Sequence, residues 1–232
     1  MHAKNTIVYN RYTATEEDSV NRKQQAYEYL KSAIISNAIP AGAPVREMEV
    51  AAELKMSRTP IREAMRELEA EGVLKSYPAR GTFVMPLTPS DVEEIYELRS
   101  LLELWAIDRS FDRITEEELS YAEGLFNEAY KASCWEKWHQ ADRLLHRLIV
   151  EKSGNSRLPA FNNMLCTQMD RIRKVSAARD VSRLESSFRE HMEIIALIRK
   201  RDLPKSREAL RSHLRAVANS AIDLSKISYF DL

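Results

Sequence analysis

The sequence predicts a mainly α-helical protein that combines an N-terminal winged helix-turn-helix, with a small β-hairpin, and a C-terminal antiparallel all-α bundle. Three observations predict this fold class. A short amphipathic helix with evenly spaced arginines ends at Gly72, two β-rich runs follow it, and every later apolar pattern has helical spacing. We expect a flexible tail over residues 1–20, the winged helix over 21–86 and the helical domain over 87–232.

The composition argues against several classes of protein. Lys and Arg number 35, as do Asp and Glu, so the 232-residue chain carries no bulk positive charge. No apolar run approaches the roughly 18 residues of a membrane span, and the first residues lack a signal-peptide core. Cys134 and Cys166 lack metal-binding spacing. We therefore expect a cytoplasmic protein without a membrane partner.

Two helices are predicted before residue 57. From Gln24 to Asn37 the apolar residues share one helical face, and a Pro- and Gly-rich segment over 40–44 breaks the pattern. A short second helix fits Arg46 to Lys55, and a turn then leads to Ser57. The order helix, helix, turn, helix is typical of a helix-turn-helix unit.

The third helix carries start and stop signals in its own sequence. The Ser57 hydroxyl can accept a hydrogen bond from a first-turn amide, and Pro60 falls in the first turn, where a missing N–H costs little. Gly72 supplies the stop. The apolar stripe that must face a core consists of Ile61, Met65 and Leu68.

A second strip on this helix consists of Arg58, Arg62 and Arg66. Cations near a helix N-terminus oppose the helix dipole, so the strip favours an anionic partner. The opening turns of a recognition helix are also the part that meets base edges in DNA. The alternative is a solvated face whose arginines pair with carboxylates of the same helix, namely Glu63, Glu67 or Glu69.

The rest of the chain predicts a wing and then a bundle. The runs 73–77 and 81–85 are rich in β-formers and are joined by residues 78–80, which predicts a hairpin. Thr88 or Ser90 can cap the next helix, and Thr115 begins a capping box. Helical patterns cover 89–112, 115–132, 134–152, 157–178, 182–201 and 203–228. Six amphipathic helices with short links predict an antiparallel bundle.

The chemistry of the bundle lies in its histidines. Asp142 and His146 are four residues apart and project from one helix face, whereas His191 and His213 lie on two other helices beside apolar residues. Three imidazoles and a carboxylate can bind a divalent transition metal ion of the Zn, Ni or Mn class. The alternative is that each histidine is a hydrogen-bonded core residue.

Two stretches resemble known families. The run SRTPIREAMRELEAEGVL, with the wing Arg-Gly-Thr-Phe-Val after it, resembles the DNA-binding domain of GntR-type bacterial transcription regulators. The later patterns Asp-x-x-x-His, Glu-His-x-x-Ile-Ile and Arg-x-His-Leu resemble the FadR-type effector domain called FCD. The count of six helices is similar to the VanR-like variant of that domain. Together the two resemblances cover nearly all of the chain after residue 20.

The first resemblance implies contacts with double-stranded operator DNA. In this family the arginines that match Arg58 and Arg62 contact operator bases or phosphates. The residues that match Ser57 and Thr59 contact the DNA backbone. Many relatives carry an arginine where this chain has Met48, and Arg46 is the candidate to replace that contact. The expected DNA-binding residues are Arg46, Ser57, Arg58, Thr59, Arg62, Arg80 and Gly81.

The second resemblance implies a metal site with a small carboxylate effector beside it. The implied ligands are Asp142, His146, His191 and His213. Four protein ligands leave an octahedral ion two positions that a carboxylate can fill. Arg99 matches a family arginine that can fork onto the effector carboxylate, and its alternative is an ordinary surface pair with Glu103. Arg171 and Arg173 lie on another helix and receive no role.

The expected function is that of a homodimeric, ligand-responsive transcription regulator, a repressor, whose two heads read a pseudo-palindromic operator. We expect no enzymatic activity. One alternative is a metal-dependent enzyme acting on a small carboxylic acid, with Glu190 or Glu193 as the base. The other is a helical adaptor protein, which would leave the arginine strip and the metal site without a purpose.

Overall fold

The structure is a computed structural model that describes the backbone of residues 16–177 and 182–230, and the side chains of residues 21–173 and 184–225. The N-terminal unit, which we call the head, contains a three-stranded sheet and three helices. Its elements are α1 (Glu16–Ile35), β1 (Pro44–Val45), α2 (Glu47–Glu53), α3 (Arg58–Ala70), β2 (Leu74–Tyr77) and β3 (Gly81–Val84).

The C-terminal unit, which we call the body, contains helices and no strand among its described residues. It contains α4 (Pro89–Ser110), a 3₁₀ turn (Phe111–Arg113), α5 (Glu116–Ala132), α6 (Trp135–Lys152), α7 (Leu158–Ala177), α8 (Ser182–Arg199) and α9 (Leu203–Phe230). The predicted fold class is confirmed. Among the described helices, none has both the length and the apolar character that crossing a membrane would require.

Helix α1 begins earlier than the sequence patterns predict. It starts at Glu16 and not at Gln24, so residues 16–20 belong to a helix and not to the expected tail. An acidic run is compatible with a tail and also with a helix N-terminus, where negative charge is favoured. Residues 1–15, the rest of the expected tail, lie outside the described residues. Further along, Tyr27, Leu30 and Ile34 are buried, as their spacing predicts.

Helix α3 has the predicted bounds and the predicted buried stripe. Ile61 and Leu68 have no exposed surface, and Met65 is also buried. Gly72 follows the helix with a positive φ of 73°, and its N–H donates to the Glu69 carbonyl at 3.0 Å while Val73 N–H donates to Leu68 at 2.9 Å. This pair of bonds is a Schellman motif, which satisfies the last carbonyls of the helix.

The N-terminus of α3 differs from the prediction in one contact. Ser57 is the N-cap residue and its backbone is extended, as a cap requires, but its hydroxyl makes no capping hydrogen bond. The side chain is exposed. The predicted cap bond is therefore not formed, and the hydroxyl lies at the surface beside Arg58.

The wing is a hairpin that gains a third strand. Strand β3 pairs with β2 in antiparallel register, with Tyr77 opposite Gly81, and on its other edge pairs with β1, where Val45 lies opposite Thr82. A two-residue strand has no periodicity of its own, which is why the sequence patterns do not predict β1. Gly81, at the hairpin tip, has a φ of 96° that side chains rarely adopt.

The body places its functional residues between four helices. Thr88 and Thr115 both form capping boxes, with Asp91 and Glu118, so α4 and α5 begin where the sequence predicts. Helix α4 packs against α6, α7 and α9, and α8 packs against α5 and α9. An apolar cluster between these helices includes Phe126. The buried polar residues described below lie beside this cluster.

Polar contacts from α7 connect the body to the head. The Gln168 side chain donates to the Glu71 carbonyl at the end of α3 at 2.7 Å. Arg171 donates to the carbonyl of Met85, just after the wing. The Tyr27 hydroxyl on α1 lies 3.5 Å from the Thr167 hydroxyl on α7. A cavity of about 450 Å³ lies along the same boundary and is lined by side chains of both units.

Candidate metal centre and nucleic-acid interface

The body brings four potential metal ligands together. Asp142 and His146 lie one turn apart on α6, His191 lies on α8 and His213 lies on α9, and all four are buried. His191 Nε2 lies 3.4 Å from His146 Nε2 and 3.2 Å from Asp142 Oδ1. One ligand atom from each of the four residues lies within 4.8 Å of every other. The quartet that the sequence predicts is therefore assembled in one place.

The other nitrogen of each imidazole is held by an acceptor outside the quartet. His146 Nδ1 donates to Glu103 at 2.5 Å, and His213 Nδ1 donates to Glu190 at 2.7 Å. The third imidazole donates from Nδ1 to the backbone carbonyl of Ser187 at 2.7 Å. Such partners fix the tautomer, and metal-binding histidines nearly always have them. The Nε2 atoms of His191 and His213 are left as acceptors that face the centre. Burial lowers the pKa of His146, but the Glu103 and Asp142 carboxylates outweigh it and raise the pKa, so a metal ion bound there would displace a proton from His146 Nε2.

This arrangement fits a cation better than it fits a hydrogen-bonded core. The Nε2 atoms of His146 and His191 face each other at 3.4 Å, although both are acceptors when Nδ1 holds the proton. His213 Nε2 is buried and has no hydrogen-bond partner among the described residues. Buried lone pairs without a donor cost free energy. A divalent transition metal ion would satisfy all of them together.

The protonation states also suit metal binding. Burial raises the pKa of Asp142, but the charges of Arg173 and His146 outweigh this effect and hold it well below its ordinary value. Burial and the neighbouring His191 lower the pKa of His213 to about 3. Asp142 is therefore an anion and His213 is neutral near pH 7, which are the forms that bind metals.

Arg99 lies beside the quartet and is fully enclosed. Its Nε donates to Glu103 at 2.7 Å, and both side chains are only 1% exposed. Burial lowers the pKa of Arg99, but the Glu103 and Asp142 carboxylates outweigh it, so the guanidinium is charged. Neither Nη atom has a hydrogen-bond partner among the side chains and backbone that the structure describes. The predicted alternative of a surface pair is wrong in its location, because the pair forms in the core.

A cavity of about 80 Å³ opens beside Asp142. Aromatic side chains form much of its wall, and Arg173 reaches it from α7 with a hydrogen bond to Asp142 Oδ2 at 2.5 Å. The pKa of His139 in this wall is lowered to about 4 by burial and by Arg173, so its ring is neutral. The cavity can hold a small molecule with an acidic end near Arg173.

The surface of the head carries the predicted DNA-binding residues. Arg58 and Arg62 do not pair with carboxylates of their own helix; both pair with Glu47 on α2, each at 2.9 Å. Within α3, Glu67 pairs with Lys23, and Glu69 accepts from Ser76. All seven predicted residues are exposed: Arg46, Ser57, Arg58, Thr59, Arg62, Arg80 and Gly81.

Comparisons with known proteins agree with this geometry. Residues 22–84 match the family described as bacterial regulatory proteins, gntR family, and residues 94–216 match the FCD domain. YdhC of Bacillus subtilis, named as an uncharacterized HTH-type transcriptional regulator, is 33% identical over 84% of this chain and 87% of its own length. The chain belongs to the GntR family. It is a DNA-binding transcription regulator with a C-terminal FCD domain.

Two further relatives bear on the function of this GntR-family regulator. The Paenarthrobacter nicotinovorans protein named "Probable D-xylose utilization operon transcriptional repressor" is 31% identical over 83% of this chain and 85% of its own length. The solved structure of the Zn²⁺-bound FCD domain of TM0439 is 27% identical, with a TM-score of 0.51, over 60% of this chain and 96% of that chain.

The roles of several residues in the regulator's site cannot be deduced from its sequence. Glu103 lies 43 residues from the imidazole that it holds, and Ser187 acts through a backbone carbonyl that any residue would supply. The sequence offers Glu190 as a catalytic base, whereas it contacts His213 Nδ1. Arg173 is visible as a cation on α7, but its bond to Asp142 depends on how α6 and α7 pack.

Proposed function

We propose that this regulator is a repressor that senses a small carboxylic acid at a metal centre formed by Asp142, His146, His191 and His213. The observation that carries the proposal is the convergence of the three Nε2 atoms and the Asp142 carboxylate, beside a buried arginine with two Nη atoms that have no partner in the described part of the chain. The Zn²⁺ seen in the similar FCD domain of TM0439 supports a metal of the Zn, Ni or Mn class.

The residues around the centre would contact different parts of the effector. The metal would offer an anionic effector a Lewis-acidic point of attachment. Arg99 would donate from its Nη atoms to a carboxylate, since a guanidinium and a carboxylate match as two forks. Tyr96 and Trp138 would cover the apolar part of the effector from the cavity wall. The small cavity favours an acid of few carbon atoms.

The head would act on double-stranded operator DNA. We propose that the DNA contacts are the seven exposed residues named above, that residues 21–86 and 87–232 are the two domains, and that the protein works as a homodimer. A two-fold dimer presents two recognition helices to two half-sites, so the operator is expected to be a pseudo-palindrome. Action on a bacterial chromosome places the proposed site of action in the cytoplasm.

We propose that the metal site performs no catalysis. Two carboxylates could act as a base in the alternative enzyme, Glu190 and Glu193. Glu190 accepts from His213 Nδ1, and Glu193 is exposed on α8, away from the buried quartet. Neither is therefore available at the metal for water activation. The enzyme alternative would gain support if the metal-loaded protein converted any acid that it binds.

Selection of fragments from a genomic DNA library tests the DNA-binding proposal. The unmutated protein is expected to enrich a short inverted repeat, whereas the variant Arg58→Ala/Arg62→Ala is expected to enrich none. Both arginines are exposed on the first turns of α3, and they belong to neither the core of the head nor the core of the body. Equal enrichment by the two proteins would refute the assigned contacts, and no enrichment by either at low salt would refute specific DNA binding.

Arg62→Ala is expected to weaken operator binding by about 1–3 kcal/mol and to relax the base preference at one position of each half-site, if its guanidinium contacts a base edge. Arg66→Ala is the matched control, because Arg66 is also exposed on α3 but lies a turn further from the helix start. Its removal is expected to change the affinity without changing base preference. Titration of the protein against sets of singly substituted operators measures both effects.

A panel of small carboxylic acids tests the sensing proposal. An acid that occupies the site is expected to raise the thermal midpoint of the metal-loaded protein and to change its operator affinity, because ligand linkage requires preferential binding to one state. The same acid is expected to have no effect on metal-stripped protein. An acid that acts equally on both forms would bind elsewhere and would contradict the proposed site.

A further inference from the structure

Glu47 connects two of the outward-facing arginines of α3, Arg58 and Arg62. It is the first residue of α2, and its side chain is 24% exposed, about half the exposure of either arginine. Arg58 donates to it from Nε at 3.2 Å and from Nη2 at 2.9 Å. Arg62 donates from Nε at 3.0 Å and from Nη2 at 2.9 Å. One carboxylate therefore accepts four hydrogen bonds from two guanidinium groups.

The atoms that take part in these bonds determine what remains for a ligand. Each arginine uses the edge formed by Nε–H and one Nη2–H, which leaves three of the five N–H donors of a guanidinium. The remaining donors include the outer edge formed by Nη1 and Nη2. That edge is a fork with which arginine can contact O6 and N7 of guanine in the major groove. Glu47 thus occupies the Nε side of each guanidinium, and the Nη1/Nη2 edge stays available for a bidentate contact with a base.

From this geometry we infer that Glu47 is a positioning residue for sequence readout, which orients Arg58 and Arg62 towards base edges and remains bound to them in the DNA complex. The inference rests on the proposed DNA contacts of these arginines. Exposed arginines without such a partner sample many rotamers and must be ordered when DNA binds. A shared carboxylate orders both before DNA arrives and fixes the distance between the two forks.

Electrostatics support the same role. Two arginines at positions i and i+4 repel each other, and both oppose the dipole at the N-terminus of α3. The Glu47 charge offsets these unfavourable terms. Hydrogen bonds from Arg62 lower the pKa of Glu47 to about 2, so the carboxylate stays ionised near pH 7. Because a pair of cations shares one anion, a net positive charge remains to attract DNA.

The test compares Glu47→Ala with Glu49→Ala. Glu49 lies on the same helix and carries the same charge, but it is exposed and pairs with Arg46. Both variants remove one negative charge, so both are expected to bind scrambled DNA slightly more tightly. Only Glu47→Ala is expected to lower the ratio of operator affinity to scrambled-DNA affinity, by about fivefold or more, because each oriented fork contributes discrimination of at least that size.

A base-preference profile separates positioning from a general structural effect. The affinities of every singly substituted operator are measured for the unmutated protein, Glu47→Ala, Glu47→Gln and the two arginine variants. Glu47→Ala is expected to flatten the profile at the positions that Arg58→Ala and Arg62→Ala flatten. Glu47→Gln, whose amide oxygen still accepts, is expected to give an intermediate profile. Thermal midpoints of all variants check that the head remains folded.

Two outcomes would overturn the inference. A Glu47→Ala protein that binds the operator more tightly and keeps its profile would make Glu47 a competitor that DNA must displace. A uniform loss of affinity at every position would make its role structural. A failure of the proposed function is recognised separately, because the unmutated protein would then show no preference between operator and scrambled DNA before any variant is compared.

Discussion

Replacement of His191 by glutamine is expected to abolish the stabilisation of the protein by metal. Metal that binds only the folded state stabilises it by about 4 kcal/mol at a thousandfold excess over its Kd, which corresponds to roughly 8–16 °C in Tm for a chain of this size. His191 is fully buried, and its Nε2 contacts both Asp142 and His146, so its removal disrupts the centre of the quartet. Glutamine keeps much of the volume that packs on Phe126.

The measurement is a thermal unfolding series on chelator-stripped protein with added Zn²⁺, Ni²⁺ or Mn²⁺, together with the metal content of the purified protein. His139→Gln is the matched control, since His139 lies on the same helix as Asp142 and lines the adjacent cavity but is not among the four ligands. This control should keep both the metal and the shift in Tm. A His191→Gln protein that binds one equivalent of metal with the same shift would disprove the assigned quartet.

Arg99→Met is expected to lower the free energy of unfolding by about 3–5 kcal/mol, because it removes one partner of a buried ion pair and leaves the other charge in the core. Glu103 would keep its bond to His146 but lose the guanidinium that balances its charge. Urea unfolding of the metal-stripped protein measures the loss without the contribution of bound metal.

Two further variants make the Arg99 prediction specific. Arg109→Met changes an exposed arginine of the same helix that stacks on Trp105 at 4.4 Å, and it is expected to lower the free energy of unfolding by about 1 kcal/mol or less.

The double variant Arg99→Met/Glu103→Gln removes both charges and is expected to recover much of the stability. It should also lose the response to carboxylic acids. Wild-type stability in Arg99→Met alone would show that Glu103 tolerates its charge unaided, contrary to the prediction.

The sequence predicts local features of the head well and pairings between distant segments poorly. Helix α3 has its predicted bounds because its start and stop depend on Pro60 and on the left-handed Gly72, which act within a few residues. Strand β1 escapes prediction because its existence depends on pairing with β3, about 40 residues later. The start of α1 is missed because an acidic run is compatible with a helix N-terminus and with a tail.

In the candidate site, too, the sequence predicts local features well and contacts between distant segments poorly. The spacing of Asp142 and His146 places both on one helix face, and the resemblance to FCD domains favours a shared metal site with His191 and His213 over separate core histidines. The i, i+4 pair of Arg99 and Glu103 is also visible in the sequence, but its burial depends on how α4 packs among three other helices. The contact between Glu47 and the α3 arginines spans 11 and 15 residues and arises only when α2 packs on α3.

The bonds from α7 to the head have a consequence for how such regulators diversify. Gln168 and Arg171 both end on main-chain carbonyls, those of Glu71 and Met85, and not on side chains of the head. Every amino acid supplies a carbonyl, so the residues that read an operator can change without altering either bond. An effector domain with this α7 is therefore compatible with many heads. A chimera with the winged helix of another family member is expected to keep its junction while acquiring a new target sequence.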